Sequence, residues 1–414
     1  MAGRMATQQT DVLVIGAGPS GTSAAALMRQ AGFKVAIVEK EKFPRFVIGE
    51  SLLPRCMDLL QEAGLLEAIK KQAYIKKHGA VFLRGSDIRQ FNFAEQFTMG
   101  WPYTYQVPRD HFDYTLAREA QSFGVDILWQ HRVTDVDFSG KAPAATVVDQ
   151  NGTTSVIASR FILDASGYGR VLPRLLNLNQ PSELPLRESL FTHVTGDRRP
   201  QGVDEGMIWI CMLPENGWLW IIPFANGKTS VGVVAKPEFI DRLPGSDSEK
   251  LREAFALEEN GRARLAETEF CFPAKRIKGY SISVSKLFGD HYALLGNATE
   301  FLDPVFSSGV TLALESANRA ANILIRQLRG EPVDWQTEYA DYMMAGVETF
   351  RTYVHAWYDG RLPTIFFSSL QDPEYRKQIC SVLAGYVWDA DNPCVSKHAK
   401  AVDRLATLVA MRSK

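Results

Sequence analysis

An excess of charge of one sign is missing from this chain. Its 46 Lys and Arg stand against 47 Asp and Glu, a formal net charge of -1. Without a basic excess it lacks the electrostatic footprint of a nucleic-acid binder or of a protein held at an anionic membrane surface. No apolar run reaches the length that spans a bilayer. The segment Met1 to Thr10 is polar and has no apolar stretch, so no secretory leader is expected. Only five cysteines occur in 414 residues: Cys56, Cys211, Cys271, Cys380 and Cys394. They are dispersed, odd in number and without a C-x-x-C pair, which suits reduced thiols and a cytoplasmic location. The seven histidines form no ligand cluster, so no metal is expected. Internal repeats and low-complexity tracts are absent as well. With 46% hydrophobic and 22% charged residues, the composition is that of a globular protein. The length suits two interlocked domains with an appendage better than one simple core.

What is present begins at the N-terminus. Asp11 to Ile15 is a short apolar run of strand type. Gly16-Ala17-Gly18-Pro19-Ser20-Gly21 follows, then an alanine-rich segment that ends at Gly32 and reads as a helix. Lys34 to Val38 is the next strand, and Glu39 ends it at the offset a βαβ unit places between phosphate loop and acidic residue. Gly16 permits the tight turn, Gly18 lets the backbone approach a pyrophosphate, and Gly21 lets the helix pack on the strand. The helix N-terminus favours phosphate charge. Glu39, with Lys40 beside it, stands where an adenosine ribose would be held. A glycine-rich turn with no ligand is the plain alternative, and the surrounding strand and helix argue against it.

Two later segments, Phe161 to Gly167 and Tyr292 to Ala298, read as strands ending in small residues. They resemble the later nucleotide-contact segments of the aromatic-hydroxylase class of flavoproteins, which implies FAD rather than NAD. The resemblance assigns Asp164, Gly296 and Asn297 to the cofactor. The class carries a Gly-Asp pair to hold the ribityl chain, and here the pair is Gly296-Asn297, an uncharged acceptor. Phe43-Pro44-Arg45, with Gly49-Glu50-Ser51 after it, recurs in flavin-dependent halogenases and in the geranylgeranyl-reductase relatives. It supports the superfamily and says little of the reaction. Arg45 and Ser51 are assigned to the cofactor on this basis, although Arg45 reads equally as a surface arginine. Arg109 resembles a flavin-side arginine, and its alternative is a salt bridge with Asp110 or Asp113.

The most specific run is Gly217-Trp218-Leu219-Trp220-Ile221-Ile222-Pro223. Tryptophans at i and i+2 of a strand point to one side, and the proline ends regular pairing. Alone, this is a strand burying two aromatics. Beside it stands Phe301-Leu302-Asp303-Pro304-Val305-Phe306-Ser307-Ser308-Gly309. Together, W-x-W-x-I-P and F-x-x-P-x-x-S-x-G on this scaffold resemble the flavin-dependent halogenases. The resemblance covers most of residues 10 to 330.

It implies an α/β fold with three parts. A Rossmann-type FAD-binding domain takes residues 1–80, 106–175 and 286–330. A mainly antiparallel β-sheet substrate domain, residues 81–105 and 176–285, is inserted into it. A helical C-terminal region, 331–414, follows, and its many aromatics read as core before they read as a lid. The same resemblance implies the chemistry. FAD, used as FADH2, meets O2 and a halide, chloride or bromide, and gives a hypohalous acid. Trp218 and Trp220 keep the substrate ring from the flavin. The halide sits at Ser308 and Gly309, at a turn entering a helix where backbone N–H groups suit a small anion, with Pro304 at the flavin. Lys77, in Lys77-His78-Gly79-Ala80-Val81-Phe82, takes or holds the hypohalous acid, and Lys76 points to the other face. Without the family pattern Lys77 would be a solvated lysine.

Tryptophan halogenases place a glutamate just before the small-residue turn, and this chain has Phe306 there. With no carboxylate supplied, the substrate must activate itself, as a phenol or pyrrole does. The expected partners are a small aromatic substrate, or an acyl carrier protein bearing it, and a separate flavin reductase, since no second nucleotide fingerprint is visible. Three alternatives stay open at this point. One is a flavin-dependent hydroxylase or oxidase, another a prenyl-chain reductase, and the third a flavin-binding protein without catalysis.

Overall fold

The computed structural model describes residues 7–368 and 372–412. Its nucleotide half is a six-stranded sheet in the order Phe288–Gly289, Tyr292–Leu294, Phe161–Asp164, Val12–Ile15, Val35–Glu39, Asp126–Trp129. All pairs are parallel except the edge pair of Phe288–Gly289 with Tyr292–Leu294. The central strands VLVI, VAIVE and FILD are buried along their whole length. This is why they read as unbroken apolar runs rather than alternating ones. The helix Pro19–Gln30 begins with proline at its first turn, and the chain turns away after it at Gly32, with φ +96°. A long helix, Ser308–Leu328, lies against it, and Ser23 Oγ bonds Asn318 Oδ1 at 2.6 Å between them.

A second, eight-stranded sheet carries the W-x-W run. Its main order is Glu269–Phe270, Glu188–Thr195, Thr229–Ala235, Trp218–Pro223, Ile208–Met212, Gly79–Arg84, Asp87–Asn92, and Lys275–Lys278 also pairs with Glu188–Thr195. Only the junction of Ile208–Met212 with Gly79–Arg84 is parallel. Alternation sorts its side chains. Leu190, Leu219, Ile221, Val231 and Val233 face three short helices, Pro237–Arg242, Asp247–Ala256 and Glu259–Leu265, through one apolar layer. Phe191, Trp218, Trp220, Ile222 and Val234 face the other way, into the main core. Pro223 is the last residue of its strand, opposite Thr229.

One strand falls elsewhere than the aromatic pattern of residues 81–105 suggests. Thr104–Gln106 leaves the large sheet and pairs with Ile75–Lys77 as a two-stranded ribbon. The 3₁₀ turn Phe93–Glu95 and the Gly100–Pro102 stretch break the run before it. Beyond residue 330 the described residues are mainly helical, with Tyr342–Tyr358, Arg361–Phe367, Pro373–Leu383 and His398–Arg412 as the main helices. Tyr339, Phe350, Tyr353, Trp357 and Phe366 are buried in the same core as Trp218 and Phe82. The five cysteines are unpaired, and only Cys271 is exposed. Among the described residues, no helix is long and apolar enough to cross a membrane, and no three His, Cys, Asp or Glu are grouped to hold a metal ion.

Candidate active site

A cavity of about 610 Å³ lies where the carboxyl ends of the parallel strands meet the inner face of the large sheet. Gly16, Gly18, Pro19, Ser20, Glu39, Lys40 and Arg45 form one part of its wall. Gly16 is at φ +100°, and a Cβ there would come within 2.6 Å of the Ala165 carbonyl oxygen. A Cβ on Gly21 would come to 1.9 Å from the Gly16 carbonyl oxygen, so Gly21 serves the helix–strand contact and does not line the cavity. The helix N-terminus that follows has no side-chain cap and no acidic residue in its first turn, which leaves its amides free for an anion. Glu39 is held by its own loop. Its carboxylate oxygens accept from Ala17 N at 2.7 Å and Glu41 N at 2.8 Å, and each keeps a second acceptor site.

Two arginines converge on Asp113, which is fully buried. Arg109 donates to both its oxygens, at 2.7 and 3.0 Å, and Arg45 Nη1 adds a bond at 2.8 Å. The salt bridge that was the alternative for Arg109 therefore exists, with Asp113 and not Asp110. Both arginines nevertheless line the cavity. One carboxylate between two guanidiniums leaves a net positive wall beside the uncapped helix.

The inner face of the large sheet forms the opposite wall. Trp218 and Trp220 lie with ring centroids 5.9 Å apart, and both line the cavity. Neither indole N–H is wasted: Trp218 donates to Tyr358 OH and Trp220 to Ser230 Oγ, each at 3.1 Å. Gly232, across from Trp220, makes its place, since a Cβ there would come within 2.3 Å of the indole ring. Pro304, Ser307, Gly309 and Val310 complete this region. Ser307 is left-handed, with φ 56°, and turns the chain into the long helix, whose N-terminus is again uncapped and free of acids. Ser308 is buried and does not line the cavity.

Lys77 is 1% exposed and stands behind that wall. Its Nζ donates to Ser51 Oγ at 2.8 Å and to the Leu52 carbonyl at 2.9 Å, and Ser51 does line the cavity. Among the described residues no carboxylate lies within ion-pair distance of it. Burial pushes its pKa down to about 7. Lys76 is exposed, over the Tyr103 ring. Phe306 is packed edge-on against Tyr353 and Trp357, at 6.4 and 6.2 Å between centroids.

Asp164 and Gly296 do not reach the cavity. Asp164 accepts from Ser166 N at 2.9 Å and Leu172 N at 2.7 Å, fixing the chain after its strand. Gly296 is at φ +53° and donates to Ser316 Oγ, while its neighbour Asn297 lines the cavity. The structure also brings in residues to which sequence reasoning gave no role. Glu50 lines the cavity, bonds His193 Nε2 at 2.7 Å and leaves its other oxygen without a partner among the described residues. Asp303 gathers Tyr280 and Tyr358. Glu50 sits inside a quoted motif and was within reach, whereas no local signal pairs Asp303 with a tyrosine on a distant helix.

Comparison with known proteins agrees with this geometry. The FAD binding domain family matches residues 9–341. The chain is 30% identical to a 1H-pyrrole-2-carbonyl-(peptidyl-carrier protein) chlorinase of Pseudomonas fluorescens, over 98% of this chain and 94% of the relative. A flavoprotein/dehydrogenase from Cytophaga hutchinsonii has the same fold with TM-score 0.96 at 49% identity, covering 98% of this chain and 100% of that one. The myxobacterial chondrochloren halogenase CndH, a FAD-dependent halogenase, follows with TM-score 0.75 at 26% identity, covering 97% of each chain. With a halogenase relative matched across almost its full length, and the paired indoles and small-residue turn lining one cavity, the chain belongs to the flavin-dependent halogenases, oxidoreductases that use FAD.

Proposed function

We propose that this chain halogenates an electron-rich phenol or pyrrole, free or carried on a carrier protein, with hypohalous acid made in the cavity described above. The observation that carries the reading is the meeting of Trp218 and Trp220 with Ser307, Gly309 and Val310 of the uncapped turn in one cavity. FAD fits the residues present. The glycine cradle Gly16 to Gly21 and the Pro19–Gln30 helix receive the pyrophosphate, with Arg45 and Arg109 as its cations and Glu39 and Lys40 at the ribose. Ser51, Asn297, Pro304 and Gly309 flank the flavin, and Asp164 and Gly296 support these segments from behind. When bound and reduced, FAD with O2 supplies the oxidising equivalent that turns halide into hypohalous acid.

The protein's own groups do the rest. The halide is held where the uncapped turn meets the cavity, at Gly309, with the Ser308 amide beside it behind the wall. The two indoles fill the space through which a ring would otherwise reach the flavin. Lys77, with Ser51 in front of it, takes the halogen from hypohalous acid with loss of water, or holds the acid by a hydrogen bond. The ring carbon then gains the halogen, and its proton leaves to the amine or, where the acid was held intact, to the hydroxide set free, as water. Phe306 offers no base, so the substrate brings its own activating oxygen or nitrogen. The named substrate of the Pseudomonas fluorescens relative is of this kind.

The test is direct. Purified protein, FAD, a flavin reductase, NADH and bromide or chloride are offered phenols, pyrroles and a carrier-bound pyrrole-2-carboxyl group, and products are read by isotope pattern. Monohalogenated product is expected, without rapid NADH oxidation when the reductase is left out. Efficient halogenation of free tryptophan sinks the substrate part. The name of the 49% identical structure favours a second reading, a flavin-dependent dehydrogenation. Under that reading substrate would reduce the bound FAD anaerobically, and no halide would enter any product.

A further inference from the structure

We propose that Tyr358 is a positioning residue for this site, through which the C-terminal helices set the place of Trp218 relative to the turn before the helix Ser308–Leu328. The inference rests on the reading of the cavity as a halogenation site. Tyr358 ends the helix Tyr342–Tyr358 and is buried. Its hydroxyl accepts from Trp218 Nε1 at 3.1 Å and donates to Asp303 Oδ2 at 2.9 Å. An indole nitrogen can only donate and an ionised carboxylate can only accept, so the direction of the chain Trp218 to Tyr358 to Asp303 is fixed by chemistry.

Asp303 carries the connection onward. Its Oδ1 accepts from Val305 N at 2.9 Å and so caps the turn Pro304–Phe306, which leads directly into Ser307. Tyr280, which lines the cavity, donates to the same Oδ2 at 3.3 Å. The main chain of Tyr358 makes a further link: its carbonyl accepts from Asn216 Nδ2 at 2.8 Å, in the left-handed turn just before Trp218. The ring itself is covered by Arg187, whose guanidinium carbon lies 4.2 Å from its centroid. Arg187 is buried, and its Nε and Nη1 have no hydrogen-bond partner among the described residues. Burial pushes the Asp303 carboxyl up to about 6, while the bonds from Val305 N, Tyr358 and Tyr280 and, least, the Arg187 charge hold it down, so at neutral pH it is the ionised acceptor that the chain of bonds needs. One tyrosine thus grips the W-x-W strand at Trp218, the turn that leads into it at Asn216, and the small-residue turn through one carboxylate.

Tyr358→Phe keeps the ring, its contact with Arg187 and the main-chain bond, and removes only the hydroxyl. The measured quantity is halogenated product per peroxide released, in the reductase-coupled assay, alongside FAD content. Tyr358→Phe is expected to bind FAD in full and to lower that ratio at least threefold, because Trp218 is free to swing. Tyr353→Phe is the comparison. It loses a hydroxyl bond of the same kind from the same helix, to the Cys394 carbonyl at 3.2 Å, with no link to Trp218. A merely structural role would lower the melting temperature of both variants and leave the product ratio of both unchanged, and that outcome overturns the proposal. If Tyr358→Phe does not fold, Asp303→Asn is read in the same way. Absence of halogenated product from the unaltered protein defeats the functional reading instead. Peroxide release after flavin reduction then decides the positioning claim, and an unchanged rate in Tyr358→Phe overturns it.

Discussion

Lys77 is a buried amine with no carboxylate in ion-pair reach among the described residues, and its consequences for stability and chemistry run in opposite directions. Its pKa is lowered to about 7, so the folded state resists the protonated form. The sign follows. The penalty is complete below pH 7, where Lys77 is charged in both states, and it is relieved as pH rises from about 7 towards the unfolded value near 10.4. The size is on the order of 3–5 kcal/mol. Lys77→Met is therefore expected to be more stable than the natural protein at pH 6 and to lose that advantage by pH 10, measured by denaturant unfolding at both. The same variant, like Lys77→Ala, is expected to lose halogenation while keeping bound FAD, and Lys76→Ala to stay close to the natural rate. A Lys77→Ala protein that still halogenates at the natural rate refutes the role assigned here. Trp218 and Trp220 are tested at the same scale. Each lies in both the core and the cavity wall, and trimming either to Ala costs about 3–5 kcal/mol as a lost core aromatic. A filter predicts more: Trp218→Phe, which keeps most of the volume, should stay folded with FAD and release more peroxide per product.

At the scale of elements, the strand Thr229–Ala235 decides where its neighbour's indole can lie. Gly232 faces Trp220, and any side chain there collides with the ring at 2.3 Å and with the Leu190 carbonyl at 2.7 Å. Gly232→Val is expected to push Trp220 into the cavity, at a cost of about 1–3 kcal/mol for overpacking. The FAD-to-protein ratio after gel filtration should fall with it, and an unchanged ratio with an unchanged melting temperature would contradict this packing. The turn into the helix Ser308–Leu328 shows the converse case, an element legible from sequence with one detail that was not. The small residues marked the helix start. The left-handed Ser307, which aims the first amides, is a backbone strain that no residue type announces outside glycine.

Across the whole molecule, the C-terminal helices share one core with the large sheet. Phe82, Phe91, Phe306 and Trp218 are covered by Tyr353, Tyr358, Trp357 and Phe366. A chain cut at residue 330 is therefore expected not to fold into a smaller FAD protein. Circular dichroism and limited proteolysis of such a fragment check this, and a cooperative, FAD-loaded fragment would refute it. Residues 331–414 held no readable motif because their work is contact, and contact with partners far away in the chain leaves no spacing to read.

The sequence by itself determined the parallel sheet and its phosphate loop, because an unbroken apolar strand, a glycine turn and an alanine-rich helix are local facts with a local meaning. It also determined that the two tryptophans share a face, since alternation along a strand is set by the backbone. Only the tertiary structure decided what those faces meet. It brought Tyr358 to Trp218 and Asp303, put Ser51 in front of Lys77, joined Arg45 and Arg109 through Asp113, and moved Thr104–Gln106 out of the large sheet into a ribbon of its own. Each of these joins residues from separate elements. Their hydrogen bonds and packing energies depend on where whole elements dock, and that is fixed by burial summed over the entire core rather than by any short run of residues.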